Sequence, residues 1–462
     1  MNERIVLPGV SDEVNNILAR LLARLHEKSE RNILRASYYD GKRAVRQVGT
    51  IIPPQYYRLG MVLGWSAKGV DLLARRCNLE GLVWPDGDLD GVGLPELWEA
   101  NNLESEVDQA ITSSLIHASA FAVSTVGGPG EPSGLLHFKD ALNGTGEWDQ
   151  RARRLSSFLS ITGRDDEGDP SALALYLDGV TVVAEKDGTW QVDVRRHGWG
   201  VPAEPLVYKP RLGRWAGTSR ISRAVMSMQD QATRAIIRLE GHMDVYSFPE
   251  MWMLGADASI FKNADGSLKA SWQVMLGRIK GIPDDEEASE PRADVKQFPA
   301  SSPKPHLDQL NALAKMFARE LSLPDSALAI SDTSNPTSAE AYTASREDLI
   351  AEAEGATDDW SSPLRKAVTR SLAMQNGLSE VPASWMTIEP KWRSPIYLSR
   401  AQAADAGAKQ IGAIPWLADT EVGLELLGLD RQQVERAMSE RRRAAGRQTL
   451  ELLTRAASGD QG

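Results

Sequence analysis

The amino-acid sequence predicts an α+β fold that is mainly helical. Two apolar stripes recur every three or four residues in the second half of the chain, and three alternating segments in the first half are joined by Asp-Gly pairs. A period near 3.6 residues is typical of amphipathic helices, whereas Asp-Gly between alternating segments is typical of antiparallel hairpins. We therefore expect strands in the first half and helices along most of the rest.

The N-terminal region is predicted to begin with a long helix over residues 11–37. Ser11 is suited to be its N-cap, because a serine hydroxyl accepts a hydrogen bond from an unpaired backbone N–H of the first turn. A further element is predicted over 65–81, one helix over 94–116, and a strand over 120–126. One face of the first helix carries a row of apolar residues: Val14, Ile17, Leu18, Leu21, Leu22 and Leu25.

A meander of antiparallel strands is predicted next. Its strands are expected at residues 172–177, 181–185 and 189–195, with turns at Asp178-Gly179 and Asp187-Gly188. Both pairs supply the residue types that tight hairpin turns require. The part of the chain before Gly213 is therefore predicted to be α+β.

Two long helices form the next part of the chain. We predict that the first begins after Gly217-Thr218-Ser219 and ends before Pro249, a length of about 40 Å at the usual rise per residue. The second begins beyond Pro303 and Pro305 and ends at Pro324. Such a hairpin cannot bury its apolar faces alone, so it requires other domains or subunits. The two stripes contain Ile221, Val225, Met228, Ala232, Ile236, Leu239 and Met243, and then Leu307, Leu310, Leu313, Phe317 and Leu321.

The segment between the two helices has two open interpretations. It combines a run of apolar residues, Met251-Trp252-Met253-Leu254, with the acidic run Asp284-Asp285-Glu286-Glu287. Acidic runs are commonly solvated loops. Large apolar residues beside a charged loop fit a docking surface equally well.

The C-terminal part is predicted to be helical. Thr337-Ser338-Ala339-Glu340 has the spacing of a capping box, and Ser362-Pro363 is predicted to begin another helix with proline in its first turn. A strand is expected over 385–392. A helical tail follows from residue 400 and carries the basic run Arg441-Arg442-Arg443.

Composition limits the class of function. The net charge of −11 argues against tight sequence-independent binding of DNA, which needs a basic surface. One cysteine permits no intrachain disulfide, and no run of about 18 apolar residues indicates a membrane span. We expect an intracellular, soluble chain.

A search for catalytic chemistry finds no convincing motif. The glycine-containing stretch from Gly213 to Ser219 lacks the lysine that a phosphate-binding loop needs. No two histidines have helical metal-ligand spacing, and Cys77 is predicted to be a buried structural thiol. We therefore predict no metal, no cofactor and no enzyme activity. Two carboxylates distant in sequence could still meet in space, so a metal-dependent nucleic-acid-processing enzyme stays an alternative.

A set of motifs occurs in a fixed order along the chain. The motifs are Tyr38-Tyr39-x-Gly41, Val70-Asp71-x-x-x-Arg75-Arg76-x-x-x-x-Gly81, Gly217-Thr218-Ser219-Arg220-Ile221-Ser222, Tyr246-Ser247-x-Pro249 and Ser338-Ala339-Glu340-Ala341-Tyr342. Because of this ordered set, the chain from Ser11 to Trp392 resembles the portal proteins of tailed double-stranded-DNA bacteriophages, in particular the compact type common in phages of actinobacteria. A different head–tail connector or capsid protein is the structural alternative, although adaptors are usually much shorter.

The resemblance implies a ring, typically a dodecamer, at one capsid vertex of the virion, assembled in the host cytoplasm. Double-stranded DNA would pass through its tunnel without sequence specificity during packaging and ejection. The implied partners are other copies of the chain, the terminase large subunit, a head–tail adaptor, and the major capsid and scaffold proteins, with no membrane. The implied regions are a wing (11–217), a first stem helix (218–246), a clip (247–305), a second stem helix (306–324), a tunnel loop with wing helices (325–399) and a crown (400–462).

The resemblance also implies roles for particular residues. Arg223, Arg234 and Arg238 would either touch DNA in the tunnel or pair with acidic groups of a neighbouring subunit. We favour pairing, which exposed arginines between apolar positions commonly adopt. The tunnel loop would present Ser331, Asp332, Thr333, Ser334 and Asn335; the stem would pack through Ile221, Val225, Met228, Ile236, Leu239, Leu310, Leu313 and Phe317; and the clip interface would contain Met251, Trp252, Met253 and Trp272.

Overall fold

A computed structural model gives the fold of the 462-residue chain. It describes residues 5–42, 60–246, 251–254, 262–263, 265–267, 279–282, 294–297, 301–328, 344–397 and 399–459. The chain divides into two compact units. The larger contains residues 1–77 and 84–389, and the smaller contains residues 78–83 and 390–462.

Nine of the thirteen described strands lie before residue 208, and the described chain after it is mainly helical. The helices are α1 (Asp12–Tyr39), α2 (Trp65–Ala74), α3 (Leu94–Ala100), α4 (Leu103–His117), α5 (Arg223–Tyr246), α6 (Lys304–Glu320), α7 (Glu347–Gln375), α8 (Arg400–Ala413), α9 (Glu421–Leu426) and α10 (Arg431–Gly459). The strands are β1 (Leu79–Val83), β2 (Ser119–Val126), β3 (Gly134–Asp140), β4 (Gly144–Asp149), β5 (Arg154–Arg164), β6 (Pro170–Leu177), β7 (Val180–Asp187), β8 (Thr189–Arg196), β9 (Ala203–Val207), β10 (Met251–Leu254), β11 (Ile279–Ile282), β12 (Asp294–Gln297) and β13 (Glu389–Trp392).

The predicted first helix is confirmed. The Ser11 hydroxyl accepts a hydrogen bond from the Val14 amide at 3.4 Å, so it caps α1 as expected. The apolar face of α1 packs on one side of a sheet. Leu18 and Leu21 are fully buried there against residues such as Leu173.

The predicted meander is confirmed and is larger than the sequence indicated. Five antiparallel strands lie in the order β4-β5-β6-β7-β8, and both Asp-Gly pairs form the turns between the last three. The sequence analysis missed β4 and β5, because β4 contains glycines and β5 has consecutive buried residues rather than strict alternation.

A second sheet, with strand order β3-β2-β9, contacts both α4 and α7. The Ser124 hydroxyl of β2 donates to the Ala367 carbonyl of α7 at 2.9 Å. Gly134 of β3 permits the close approach of α7, because a Cβ at this position would lie 2.2 Å from the Ser371 carbonyl oxygen. Part of the contact between α7 and the sheet therefore depends on the absence of a side chain.

Several predicted helix boundaries were wrong. Helix α6 begins at Lys304, before Pro305, and ends at Glu320, before Pro324. The expected single helix over 94–116 is divided into α3 and α4 by Asn102, which adopts a left-handed backbone conformation with φ of 48°. Pro363 lies inside α7 rather than in a first turn, and the buried side chains of Trp360 and Leu364 flank it. The first long helix begins at Arg223, four residues after Ser219.

The segment between α5 and α6 contains a three-stranded sheet with the order β11-β10-β12. Strand β10 pairs in parallel with β11 and antiparallel with β12. Met251, Trp252 and Met253 lie on this central strand. Trp272 and the acidic run Asp284-Asp285-Glu286-Glu287 lie outside the described residues.

The smaller unit combines the C-terminal helices with a strand from much earlier in the chain. Strand β1 pairs with β13, and the carboxylate of Glu80 on β1 forms an ion pair with Arg393 at 3.0 Å. The Glu80 carbonyl also accepts a hydrogen bond from Arg431 of α10 at 2.7 Å. The helical tail predicted from residue 400 begins there with α8, and the compact unit that contains it also includes residues 78–83 and 390–399.

A buried histidine at the end of α4 makes stability depend on pH. The His117 side chain is 7% exposed, and burial lowers its pKa from 6.5 to about 4. In the unfolded chain the imidazole of His117 binds a proton near pH 6.5, whereas in the native state it does so only near pH 4. Its contribution to the free energy of unfolding is therefore complete above pH 6.5 and is lost on acidification. The loss should total about 3 kcal/mol between these values.

Urea unfolding at pH 7.0, 5.5 and 4.5 measures this contribution. We expect His117→Gln to remove that part of the acid destabilisation, whereas the exposed-site variant His26→Gln should retain it. An unchanged pH dependence in His117→Gln would contradict the assignment. Carboxylates that titrate over the same range act equally in all three proteins.

Candidate functional site: a helical hairpin and its junction

Helices α5 and α6 form an antiparallel hairpin. At one end, the Ser222 hydroxyl just before α5 lies 3.4 Å from the Glu320 carboxylate at the end of α6. At the other end, the ring of His242 on α5 lies 5.1 Å from the ring of His306 on α6. The start of each helix thus lies beside the end of the other. The intervening segment leaves and rejoins the hairpin at the His242–His306 end.

The facing sides of the hairpin are buried. On α5 the buried set departs from the predicted stripe, because Gln229 and Thr233 are included while Ile236 and Leu239 are only half-buried. Ile221 is buried, but it precedes the helix. The buried apolar residues of α5 are Val225, Met228, Ala232, Ala235 and Ile237, and those of α6 are Leu310, Leu313, Ala314, Phe317 and Ala318.

Polar groups on the buried side of α5 are satisfied by α2 and by the helix itself. The Gln229 side-chain oxygen accepts hydrogen bonds from the Ser66 amide at 2.9 Å and the Ser66 hydroxyl at 2.6 Å. The Thr233 hydroxyl donates to the Gln229 carbonyl at 2.9 Å. These contacts explain why two polar residues can occupy an otherwise apolar face. Because Gln229 and Thr233 are polar, the apolar periodicity of the sequence did not predict that they are buried.

Helix α2 holds the base of the hairpin. Trp65 packs edge-on against Phe317 of α6, with ring centroids 5.4 Å apart. Gly69 allows the end of α6 to approach, since a Cβ there would lie 2.4 Å from the Leu321 Cδ1. The base is therefore tightly packed.

Apolar side chains also lie on the outward surface of the hairpin. Met243 and Tyr246 of α5 are 44% and 43% exposed, and Met316 of α6 is 57% exposed. Ile236 and Leu239 are half-buried. Together these residues give the hairpin apolar surface beyond the contact between its two helices.

The three arginines that the sequence analysis singled out lie on α5. Arg223 and Arg238 are exposed and Arg234 is half-buried. None of them forms an ion pair with any residue in the described ranges. Their predicted pairing with acidic groups of another subunit stays a prediction.

Arg220 joins the base of the hairpin to the rest of the larger unit. Its side chain is 2% exposed. Its Nε donates to the Gly69 carbonyl of α2 at 2.7 Å, and its Nη2 donates to the Leu321 carbonyl just after α6. The position is also fixed by its backbone, because its amide donates to the Leu115 carbonyl of α4 at 2.9 Å.

A carboxylate of α7 neutralises this arginine. Glu352 lies 3.4 Å from Arg220 Nη1, accepts a hydrogen bond from the Tyr208 hydroxyl, and pairs with Lys209 at 2.5 Å. Burial opposes ionisation of Glu352, but the hydrogen bonds from Lys209 and Tyr208, with the charges of Lys209 and Arg220, lower its pKa below the usual value. The junction is therefore a charged network that ties α2, α5, α6 and α7 together.

The remaining predicted site residues are not brought together with this junction. Ser331, Asp332, Thr333, Ser334 and Asn335 lie outside the described residues, as does Trp272.

The predicted thiol is confirmed as buried, and burial raises the pKa of Cys77 to about 12. The described residues contain no group of three or more side chains that could hold a metal ion. Nor does any helix among them combine the length and apolar character needed to cross a bilayer.

A comparison with protein families identifies the class. Residues 18–447 match the profile of the phage portal proteins of the SPP1 Gp6-like type. The match covers most of the chain, and the chain belongs to this family. The predicted resemblance to phage portal proteins is thereby confirmed, and the alternative of another connector or capsid protein is excluded.

Two relatives of the chain are portal proteins of Mycobacterium phages. The chain is 25% identical over 417 residues to the portal protein of Mycobacterium phage L5, covering 88% of this chain and 84% of that protein. The same identity and coverage are found with the portal protein of Mycobacterium phage D29. Among solved structures, the neck of a native GTA particle computed with C12 symmetry is 17% identical over 79% of this chain and 90% of that one, with a TM-score of 0.42. The neck of an empty GTA particle computed with C6 symmetry is 18% identical over 80% and 90%, with a TM-score of 0.43.

Proposed function

We propose that copies of this chain form a ring-shaped channel at one vertex of a phage capsid, through which the genomic DNA enters and leaves. Helices α5 and α6 form the stem, residues 247–305 the clip, and residues 400–462 the crown. The α+β region and α7 form the wing. Residues 331–335 form the tunnel loop that faces DNA.

The outward apolar surface of the α5–α6 hairpin carries this proposal. A helix of 24 residues spans about 36 Å. Its inner face is buried against α6, yet Met243, Tyr246 and Met316 remain exposed. Apolar surface of this kind, arranged along a long hairpin, fits contact with neighbouring copies.

The channel works as a conduit driven by another protein. The chain lacks a phosphate-binding loop, and its family is structural, so we infer that the terminase large subunit supplies the energy of packaging. The net charge of −11 supports a wall that does not retain DNA by attraction. We propose no enzyme activity and no cofactor.

The clip is proposed as the docking site of terminase and later of the head–tail adaptor. A small sheet is inserted in the sequence between the two helices of the hairpin, and its central strand contains Met251, Trp252 and Met253. The wing is proposed to meet the major capsid and scaffold proteins. Assembly takes place in the host cytoplasm, and the finished ring is a virion component.

Negative-stain electron microscopy of the purified protein, with mass measured in parallel, tests this proposal. We expect rings with a central hole and a mass that is a multiple of the 50.5 kDa chain, typically twelvefold. If only monomers are observed at every protein and salt concentration tested, the proposal of a ring-shaped channel is contradicted. Incubation of the same sample with duplex DNA and Mg²⁺ tests the absence of nuclease activity, and metal-dependent cleavage would contradict it.

A further inference from the structure

One face of the larger unit concentrates positive charge on a chain that is acidic overall. Arg24, Lys28 and Arg31 of α1 are spaced by four and three residues, which places them on one side of the helix. A tight turn between β9 and α5 adds Arg211 and Arg214. These five residues are called the basic face below.

The two parts of the basic face lie close together. The Arg24 guanidinium lies 5.4 Å from the ring centroid of Trp215, the residue next to Arg214. Burial and the charges of Arg24, Arg31 and Arg214 lower the pKa of Lys28, and the opposing charge of Glu27 does not outweigh them. The helix and the turn therefore act on each other electrostatically.

The positive charges of the basic face are not neutralised within the described part of the chain. Neighbouring cations are paired: Arg20 with Glu147 at 3.1 Å, and Lys209 with Glu352 at 2.5 Å. None of the five residues of the basic face forms such a pair with a described residue. Like charges that are held together, with only the weaker opposing charge of Glu27 acting on Lys28, favour an anionic partner.

An apolar side chain at the tip of the turn indicates a protein partner rather than DNA. The Arg214 amide donates to the Arg211 carbonyl at 2.8 Å, and Gly213 adopts a φ of 76° that closes the turn. Leu212 is consequently held fully in solvent, with 104% relative exposure. A phosphate backbone offers a leucine no apolar contact, whereas a protein surface can bury it.

We propose that the basic face binds an acidic face of a neighbouring copy of this chain, with Leu212 as its apolar anchor. The proposal rests on the ring proposed above. A ring needs two different, complementary faces on each subunit. Outside the basic face the chain carries 47 basic against 63 acidic residues, so the rest of the chain has a net negative charge. The basic face is thereby one half of a head-to-tail interface.

Charge reversal on the basic face tests the proposal. The triple variant Arg24→Glu, Arg31→Glu, Arg214→Glu is compared by mass photometry and sedimentation with wild type at low and high salt. We expect the concentration for half-maximal ring assembly to rise more than tenfold, and wild-type assembly to weaken with salt. The matched control Lys186→Glu, Arg195→Glu, Arg196→Glu makes the same charge change on β7 and β8 and should assemble like wild type.

Two further variants test the same interface if the triple variant does not fold. The double variant Arg31→Gln, Arg214→Gln removes two positive charges without introducing negative ones. The variant Leu212→Ser removes only the exposed apolar side chain. Each should raise the half-assembly concentration severalfold while circular dichroism and melting temperature stay unchanged. Wild-type assembly in all these variants would overturn the proposal while leaving the ring itself intact.

Failure of the ring is distinguishable from failure of the interface. If wild type forms no ring under any condition, both the channel and this interface are overturned. Binding of a labelled 30-base-pair duplex is measured in parallel by fluorescence anisotropy. If the triple variant assembles normally but loses duplex binding, the basic face is a nucleic-acid surface and the proposal is overturned.

Discussion

Replacing Arg220 by methionine is expected to lower the free energy of unfolding by about 3–5 kcal/mol, the cost of breaking a buried ion pair by removing one partner. The side chain is 2% exposed, so water cannot take over its role. Its loss would leave the Gly69 and Leu321 carbonyls without their charged donor. It would also leave Glu352 with the largely exposed Lys209 as its remaining cation.

Urea unfolding of the dissociated subunit, with the transition followed by tryptophan fluorescence, measures the effect. Arg223→Met is the matched control, because the same substitution three residues later removes an exposed arginine and should change the stability by less than about 0.5 kcal/mol. Glu352→Gln retains a hydrogen-bond acceptor and should cost less than Arg220→Met. Equal stability of the Arg220 and Arg223 variants would contradict the role of Arg220 as the junction.

Replacing Leu239 by aspartate is expected to prevent ring assembly while the subunit still folds. Leu239 is half-buried within the subunit, so the substitution should destabilise the isolated chain by only about 1–2 kcal/mol. In an assembled stem the same position would be closed off by a neighbouring copy, and an unpaired carboxylate buried there would be strongly unfavourable. Mass photometry should therefore show subunits where wild type shows rings.

Leu239→Met is the control for this second prediction, because it retains an apolar side chain of similar volume. It should assemble at nearly the wild-type concentration. A melting curve of each dissociated variant separates assembly from folding. Normal rings formed by Leu239→Asp would remove Leu239 from the subunit interface and would contradict its assignment to stem packing.

Periodicity predicted the elements that depend on local sequence. Helix α1 with its serine cap, the two helices of the hairpin and the Asp-Gly meander each follow from residues adjacent in the chain. The break at Asn102 did not follow, because the residue joins two helices without a glycine or proline to mark it. Pro363 is a residue that usually begins or breaks a helix, and the sequence therefore predicted a helix start there. In the structure, tertiary packing keeps α7 continuous through it.

The junction could not be predicted from local patterns. In the sequence, Arg220 stands out only as one member of the motif Gly217-Thr218-Ser219-Arg220-Ile221-Ser222, which gives no structural role for its side chain. In the structure its partners are Gly69, Leu321 and Glu352, which are separated from it by 101 to 151 residues. Nothing in sequence spacing indicates such an encounter without an alignment. The same holds for His242 and His306, whose rings meet across two helices.

The meeting of His242 and His306 has a consequence for how such proteins diversify. The polypeptide departs from the hairpin and returns to it at nearly the same place, so the intervening segment needs no particular span to keep α5 and α6 in register. Insertions between closely spaced chain ends are tolerated because they impose no strain on the host. The segment is therefore structurally exchangeable: a replacement of different length or sequence would leave the helices that carry it unaltered.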